Sequence, residues 1–467
     1  MSGVFQPEFD PGAIIDRSRL SVLQWRTIML CAMVAMLDGF DTQAIAFVAP
    51  VIAHELNIDS TAFGLVFGVG LLGLMIGALI LGPAADRFGR RPVIILSTLV
   101  FGTFAVVTSL STSLPGLMFY RFLTGLGLGG AMPNIIAITS EYAPRRQRAT
   151  LVTLMFCGFP LGAVLGGLVS THLIAAYGWH VVFYVGGTLP LALLPLLWFG
   201  LPESVCFLAA RRDRYQSGTR ELLRIVRRVD PGGHYPDDCR WLVNEEPLKG
   251  SPVKALFLDG RAIGTLLLWV VFFSNLLILY FLINWLPAVL QRAGLPLERA
   301  IIATVALNAG GIVGGLLLGR LVDKRQPYGV LTVAYGCAAV LVAAMGALEQ
   351  GSVLVLMSAI VAAGFFVIGT QYCMNALVCN FYPTALRSTG VGWAHGIGRI
   401  GSIVGPVLGG ILLSFGWSPG MLFMAIAGPA AVSSLAVFVL GRWQQQQIIR
   451  PTIASRAAAY STSPSLK

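Results

Sequence analysis

"GPAADRFGRRP", residues 82–92, joins two long apolar runs, and "GRLVDK", residues 319–324, ends another apolar run much further along the chain. Both hold a glycine and, four residues on, an aspartate followed by a basic residue: Gly82 and Asp86, then Gly319 and Asp323. One separation relates both pairs. A second relates four glycines of one apolar run, Gly158, Gly162, Gly166 and Gly167, to four of another, Gly401, Gly405, Gly409 and Gly410. "EYAPRRQRAT" (141–150) parallels "FYPTALRSTG" (381–390) in the same way, with Arg148 opposite Arg387. Three matches in the same order imply one duplicated unit.

The composition says what that unit is made of. Of 467 residues, 56% are hydrophobic and 11% charged, with mean hydropathy +0.78. A soluble chain carries about 25% charge, and runs long enough for a hydrocarbon core of about 30 Å recur from end to end. The pattern predicts an all-α polytopic membrane protein with twelve spans near 25–49, 62–84, 92–112, 114–140, 149–172, 180–200, 262–290, 299–321, 329–348, 352–378, 387–414 and 419–441. The chain divides into an N-terminal segment (1–24), a six-helix half (25–202), a central connection (203–260), a second six-helix half (261–441) and a polar, Ser-rich tail (442–467) expected to be disordered. The connection carries "RRDRYQSGTRELLRIVRR" (211–228) and reads as a partly helical, solvated loop.

Basic residues alternate by side. One side holds Arg87, Arg90 and Arg91, then Arg145, Arg146 and Arg148, the central connection, Arg320, Lys324 and Arg325, and Arg442; the other holds Arg292 and Arg299. The positive-inside rule puts both termini and the connection in the cytoplasm. Topology therefore accounts for the net charge of +11, and nucleic acid is not an expected partner. No phosphate-cradling Walker loop or zinc-type spacing is present, and the seven cysteines are scattered without a CxxC. The polar start and the length of the first apolar run argue against a cleavable signal peptide.

Between Arg26 and Arg87 there is no lysine or arginine, yet "MLDGFDTQ" (36–43) sets Asp38 and Asp41 inside the first span. At 1.5 Å per residue Asp38 lies roughly 20 Å along it. The two acids are three apart and share a helix face. Each costs about 2.5–3.5 kcal/mol at a helix centre, so such residues face a cavity, pair with a cation or move protons. Two neighbouring carboxyls out of water are poised to exchange a proton as a coupled pair. Arg121, roughly 10 Å in from the outer face of the fourth span, is the first candidate counter-charge, and Glu141 lies at that span's inner end, where gating with nearby arginines is the alternative role. Asp38, Asp41, Arg121 and Glu141 thus form a candidate proton-coupling set; a fixed ion pair would use the same residue types.

The second half supplies Arg399, about 18 Å past Arg387 along its helix and near mid-membrane. Its planar guanidinium suits a carboxylate bidentately, and His395 lies four residues before it on the same face. A small-molecule site needs apolar walls and a few polar anchors. Phe40 and Gln43 flank the acids, Tyr280 and Asn284 lie in the seventh span, Gln371 and Asn375 in the tenth, and Trp393 in the eleventh. Asn284 and Gln371 stand out, because bare amides in lipid seek partners. The glycine-lined faces serve close helix packing or sliding equally well.

A parallel duplication of six spans is the architecture of the major facilitator fold, and the motifs resemble that superfamily. "GPAADRFGRRP" looks like its signature loop between spans two and three, and "RFLTGLGLGGAMPN" (121–134) resembles its second motif. "DGFD" (38–41), "TSEYAP" (139–144), "LPES" (201–204) and "YPTALRSTGVGWAHGIGRIG" (382–401) resemble the aromatic acid:proton symporters, the 4-hydroxybenzoate and benzoate transporter group. The resemblance covers about residues 20–445, apart from the connection after Phe207. Ala84 departs from the leucine often found in the signature loop, which implies a local packing change. The resemblance implies import of a small aromatic carboxylate across a bacterial inner membrane by alternating access, with protons as the coupling ion, no cofactor, surrounding lipid and a monomer as the working unit. It implies a gating role for Gly82, Asp86, Arg87, Gly89, Arg90 and Arg91, with Asp323 and Arg387 as second-half counterparts. Rival readings are a symporter or exporter of another organic acid, and a membrane sensor of aromatic acids. An enzyme finds no metal cluster or nucleophile–base spacing to support it.

Overall fold

The computed structural model describes residues 8–210, 216–233, 235–236, 240–241, 252–258, 260–348, 352–382 and 384–461. Among them, twelve helices are long and apolar enough to cross a membrane. Spans 1–6 are Val22–Glu55, Ser60–Phe88, Arg90–Thr108, Leu114–Tyr142, Thr150–Tyr177 and His180–Gly200. Spans 7–12 are Ala262–Arg292, Leu297–Val322, Pro327–Ala347, Val353–Phe381, Thr389–Ser414 and Pro419–Gln446. The chain is all-α apart from one short parallel pair of strands among the described residues, Glu8–Phe9 with Arg240–Trp241.

Local signals set the helix ends. Ser21 and Gln24 form a capping box before span 1: the Ser21 amide donates to Gln24 Oε1 at 2.8 Å and the Gln24 amide to Ser21 Oγ at 3.4 Å. The Asp59 carboxylate caps span 2 by accepting from the Ala62 amide at 2.7 Å. Spans 2 and 3 meet at Gly89, whose φ of +104° suits only glycine. The last helix runs on to Ser461, beyond the boundary at 441 where a disordered tail was expected. Its polar stretch is rich in glutamine, alanine and arginine, which are good helix formers. Residues 462–467 lie outside the described residues.

The described chain forms two compact units, and they do not follow the sequence repeat. The first comprises Met1–Pro247, Ile283–Asn308 and Pro406–Gly416; the second comprises Leu248–Leu282, Ala309–Gly405 and Trp417–Lys467. In the first, span 4 packs on spans 2 and 3, and span 1 on spans 5 and 6. In the second, span 9 packs on spans 10 and 12, and its core gathers Phe272, Leu331, Tyr335, Met374, Tyr382 and Leu440.

Backbone-to-backbone seams repeat between the units. A Cβ on Gly162 of span 5 would lie 1.7 Å from the Met36 carbonyl of span 1, and one on Gly405 of span 11 would lie 2.4 Å from the Leu277 carbonyl of span 7. Gly73 and Gly77 of span 2 abut Phe122 and Leu126 of span 4, as Gly310 and Gly314 of span 8 abut Val361 and Phe365 of span 10. The duplication read from glycine spacing is thus a duplication of helix contacts, of the small-residue kind that membrane helices use.

The N-terminal segment and the central connection pack together in the first unit, where a solvated loop was expected. Helix Gln216–Val229 buries Leu222, Leu223, Ile225, Val226 and Val229 in a core shared with Ile14, Ile15 and Trp241. Phe9 stacks edge-on against Tyr235, with ring centroids 5.4 Å apart. The helix is amphipathic, and its apolar stripe finds a partner in the segment before span 1. Residues 211–215 and 242–251 lie outside the described residues.

Gly162→Ala tests the seam. Alanine normally gains about 0.5–1 kcal/mol over glycine inside a helix, but here its methyl meets a carbonyl that cannot swing away. Thermal unfolding in detergent is expected to show a loss of about 1–3 kcal/mol. Gly428→Ala, where a Cβ meets nothing within 4 Å, is expected to show none.

Candidate functional site

In the first unit, Asp41 of span 1 and Arg121 of span 4 are buried, 0% and 4% exposed. Arg121 Nη1 donates to Asp41 Oδ1 at 3.1 Å, and Nη2 donates to the Asp41 carbonyl at 3.3 Å. Nη2 is also 3.0 Å from Oδ2, a charge contact without the alignment of a hydrogen bond. The guanidinium lies 5.6 Å from the centre of the Phe183 ring of span 6, a cation–π contact. Asp38, 2% exposed, accepts from Thr42 Oγ at 3.0 Å. Gln43 and Asn308 exchange amide hydrogen bonds at 3.1 and 3.0 Å, joining spans 1 and 8.

Thr42, Arg121 and Asn284 line one small cavity of about 20 Å³, with Phe67 and Gly70 of span 2 in its wall. That is room for about one water. Towards the Ser60 end of span 2, Phe67 stacks edge-on with Trp285 at 5.3 Å, and the Trp285 indole donates to the Pro406 carbonyl at 2.8 Å. Arg292 donates to Ser60 Oγ beyond them. Phe40 fills the space left by Gly166 and Gly186, whose added Cβ atoms would strike its ring. Its placement is that of a packing residue.

The second unit holds polar contacts of its own. Arg399 Nη1 donates to Tyr280 Oη at 2.9 Å and lies 5.9 Å from that ring's centre. Asn275 Nδ2 donates to Gln371 Oε1 at 2.5 Å, and Gln371 Nε2 to Asn375 Oδ1 at 3.1 Å. His395 packs edge-on to Phe272 at 5.1 Å. Trp393, 41% exposed, stacks on Trp269 at 5.7 Å.

The loop motif builds a third cluster. Glu203 Oε1 accepts from the amides of Arg90, Arg91 and Ser204 at 2.8, 3.2 and 2.8 Å, so a carboxylate closes the start of span 3. A Cβ on Gly89 would lie 2.4 Å from Glu203 Oε2, a second reason for glycine there. Glu141 pairs with Arg90 and accepts from Ser204 Oγ at 2.6 Å. It lies about 30 Å further along span 4 than Arg121 by helical rise, and the nearby guanidinium of Arg90 holds it. Arg91 donates to the Trp198 carbonyl. Asp86 is 74% exposed and 3.8 Å from Arg90, while Arg87 lies over Phe88. A Cβ on Gly82 would meet nothing within 4 Å. The side chains of Asp323 and Arg387 lie outside the described residues.

Sequence reading missed Asn308, Asn275 and Glu203. Asn308 and Asn275 carried the same signal as Asn284, an amide within an apolar run. Glu203 stood in "LPES" with only the adjacent Ser204 amide in sight, because its other two donors, the Arg90 and Arg91 amides, lie over a hundred residues earlier.

A profile of the Major Facilitator Superfamily matches residues 31–401. The gallate transporter of Pseudomonas putida is 38% identical over 91% of this chain and 94% of its own length. The 4-hydroxybenzoate transporter PcaK of the same organism is 38% identical over 92% and 96%. Among solved structures, the xylose transporter XylE from E. coli, in a partially occluded inward open conformation, is similar at TM-score 0.68 and 16% identity, over 89% of this chain and 97% of that one. At that identity the likeness is one of fold.

Two outcomes check the geometry. Removing one partner of a buried ion pair costs about 3–5 kcal/mol, and removing both costs less than the sum. Arg121→Met and Asp41→Asn are therefore expected to be strongly non-additive in detergent unfolding; additive losses would mean the two side chains do not pair. Burial pushes the Glu203 carboxyl above its usual 4.5, against the pull of its backbone N–H donors. The stability this carries is complete below pH 4.5 and lost as pH rises through the raised pKa. Wild type is expected to lose stability relative to Glu203→Gln across that window.

Proposed function

The chain belongs to the major facilitator superfamily, among its aromatic-acid transporters, and on that premise we propose that it imports a small aromatic carboxylate, such as 4-hydroxybenzoate, benzoate or a related hydroxylated acid, together with protons across a bacterial inner membrane. It is a transporter, not an enzyme, and needs no cofactor for a cycle without chemical conversion. We place both termini in the cytoplasm from the distribution of arginine and lysine, and take the monomer as the working unit.

The observation that carries this reading is the buried Asp41–Arg121 pair beside the cavity of Thr42 and Asn284. While Asp41 is ionised, Arg121 is neutralised. A proton on Asp41 removes the carboxylate charge and leaves a buried guanidinium in need of an anion. The substrate carboxylate answers that need, so proton and anion each favour the other's binding. Asp38, hydrogen-bonded to Thr42, is the second carboxyl through which a proton can pass. Within the second unit, Arg399, oriented by Tyr280, is the other candidate for a carboxylate, and the Asn275–Gln371–Asn375 amides are candidates for polar substrate groups.

The cavity of about 20 Å³ is far below the roughly 300–1,000 Å³ of ligand pockets. Loading therefore requires the Phe67–Trp285 contact to part, which is a step of alternating access. One proton with one anion is electroneutral, so the pH gradient alone drives uptake; each further proton adds about 2.3 kcal/mol per 100 mV of membrane potential.

The test is uptake into proteoliposomes under an inward proton gradient, with labelled benzoate, 4-hydroxybenzoate, gallate and gentisate. Gradient-dependent accumulation of at least one is expected. Asp41→Asn should abolish accumulation while keeping exchange of internal for external substrate, and Arg399→Ala should raise the half-saturating concentration at least tenfold. No gradient-driven uptake of any of the four acids would sink the substrate class. Uphill uptake by Asp41→Asn would remove that residue from the proton path.

A further inference from the structure

Arg19, Arg26 and Arg228 line one broad cavity of about 800 Å³, between the start of span 1 and the end of helix Gln216–Val229. All three side chains are exposed, and among the described residues none has an ion-pair partner. The one acid in the wall, Asp230, is already engaged: it accepts from Tyr235 Oη at 2.5 Å and lies 3.7 Å from Arg17. Three like charges left open around one space repel each other unless an anion joins them.

Arg26 borders a second groove as well. This one is apolar, about 360 Å³, and its other walls are Leu30, Pro195, Leu196, Phe199 and Gly200 of spans 1 and 6. Leu30 lies about 6 Å deeper than Arg26 along span 1. Phe199 is 83% and Leu196 55% exposed, on a helix that crosses the membrane. Charged head room and an apolar trench therefore meet at one arginine, about one helical turn into span 1.

We propose that the two grooves form a single binding site for an anionic glycerophospholipid. Arg19, Arg26 and Arg228 hold its phosphate, and one acyl chain lies along Leu30, Leu196 and Phe199. Guanidinium groups grip phosphate through paired N–H donors and are weakly hydrated, which suits them to a half-dry interface. Basic pockets beside membrane helices are the expected seats for anionic headgroups. A soluble anion would fill the upper space and leave the trench empty; a phospholipid uses both. The site also ties the packed N-terminal segment and central connection to the bilayer at the start of span 1.

Native mass spectrometry of the full chain in detergent tests this with palmitoyl-oleoyl phosphatidylglycerol, palmitoyl-oleoyl phosphatidylcholine and inorganic phosphate. Wild type is expected to retain one more phosphatidylglycerol than the combined Arg19→Gln, Arg26→Gln, Arg228→Gln variant, with at least tenfold lower half-saturation. Phosphatidylcholine should show no such difference, and Leu196→Asn with Phe199→Asn should weaken phosphatidylglycerol binding with the arginines intact. Arg220→Gln with Arg224→Gln removes two exposed charges from the same helix outside the cavity and should change nothing. An equal loss in that control would mean general surface charge, and displacement of the lipid by millimolar phosphate would mean a soluble-anion site. Either result overturns the proposal.

Discussion

A carboxylate and a guanidinium at membrane depth stay there only in contact with each other, because hydrocarbon offers neither a partner. In the first unit that contact joins span 1 to span 4, and each of those spans lies in a glycine seam. Span 4 is held to span 2 where Gly73 and Gly77 meet the backbone at Phe122 and Leu126, and span 1 to span 5 where Gly158 and Gly162 meet Ala32 and Met36. The Asp41–Arg121 pair is thus the tie between two rigid seams. Close backbone contact in both seams sets its geometry, and whatever displaces one partner must supply the other with a new one.

The same constraint shapes the end of the unit where spans 3 and 6 meet the loop motif. Glu203 and Glu141 are both largely removed from water, and both are met by donors: three backbone amides for the first, Arg90 and Ser204 for the second. This network explains why the loop motif needs Gly89 and Arg90 together. Gly89 gives room to the carboxylate that closes span 3, and Arg90, one residue on, neutralises the acid of span 4. Asp86, the acid of the motif itself, is largely in solvent with only a 3.8 Å contact to Arg90.

Much of this was legible in the sequence, for a physical reason. Hydrocarbon tolerates few charges, so every charge that remains within a span is conspicuous: Asp38, Asp41, Arg121 and Arg399 all surfaced that way. The glycine repeat was equally plain, because backbone contact requires small residues at fixed spacing. What stayed hidden were pairings across long separations. Nothing in "LPES" tells that Glu203 caps a helix begun at Arg90, and nothing in "DTQ" tells that Gln43 has its partner in Asn308. Phe40 looked like a wall for an aromatic ring, but an aromatic beside acids and one packed against two glycines look alike in a sequence. The connection was misread because its arginines outweigh its apolar stripe in composition, whereas burial depends on the stripe.

Span 1 shows why coupling can be local. Residues 41, 42 and 43 point about 100° apart around a helix, so Asp41, Thr42 and Gln43 make span 1 polar on three sides at one level. Two of these sides are tied to other spans, Asp41 to Arg121 by charge and Gln43 to Asn308 by paired amides, while Thr42 donates back to Asp38 within span 1. The amide tie does not titrate near neutral pH. In the proposed cycle a proton therefore loosens the charge tie to span 4 and leaves the tie to span 8 in place. Span 1 becomes free to turn or tilt about an anchor that holds its depth. A helix held by three titrating groups would be released altogether by the proton, and one held by three neutral groups would ignore it. One ionic tie beside a neutral one lets a single protonation change a helix's partner without changing its place.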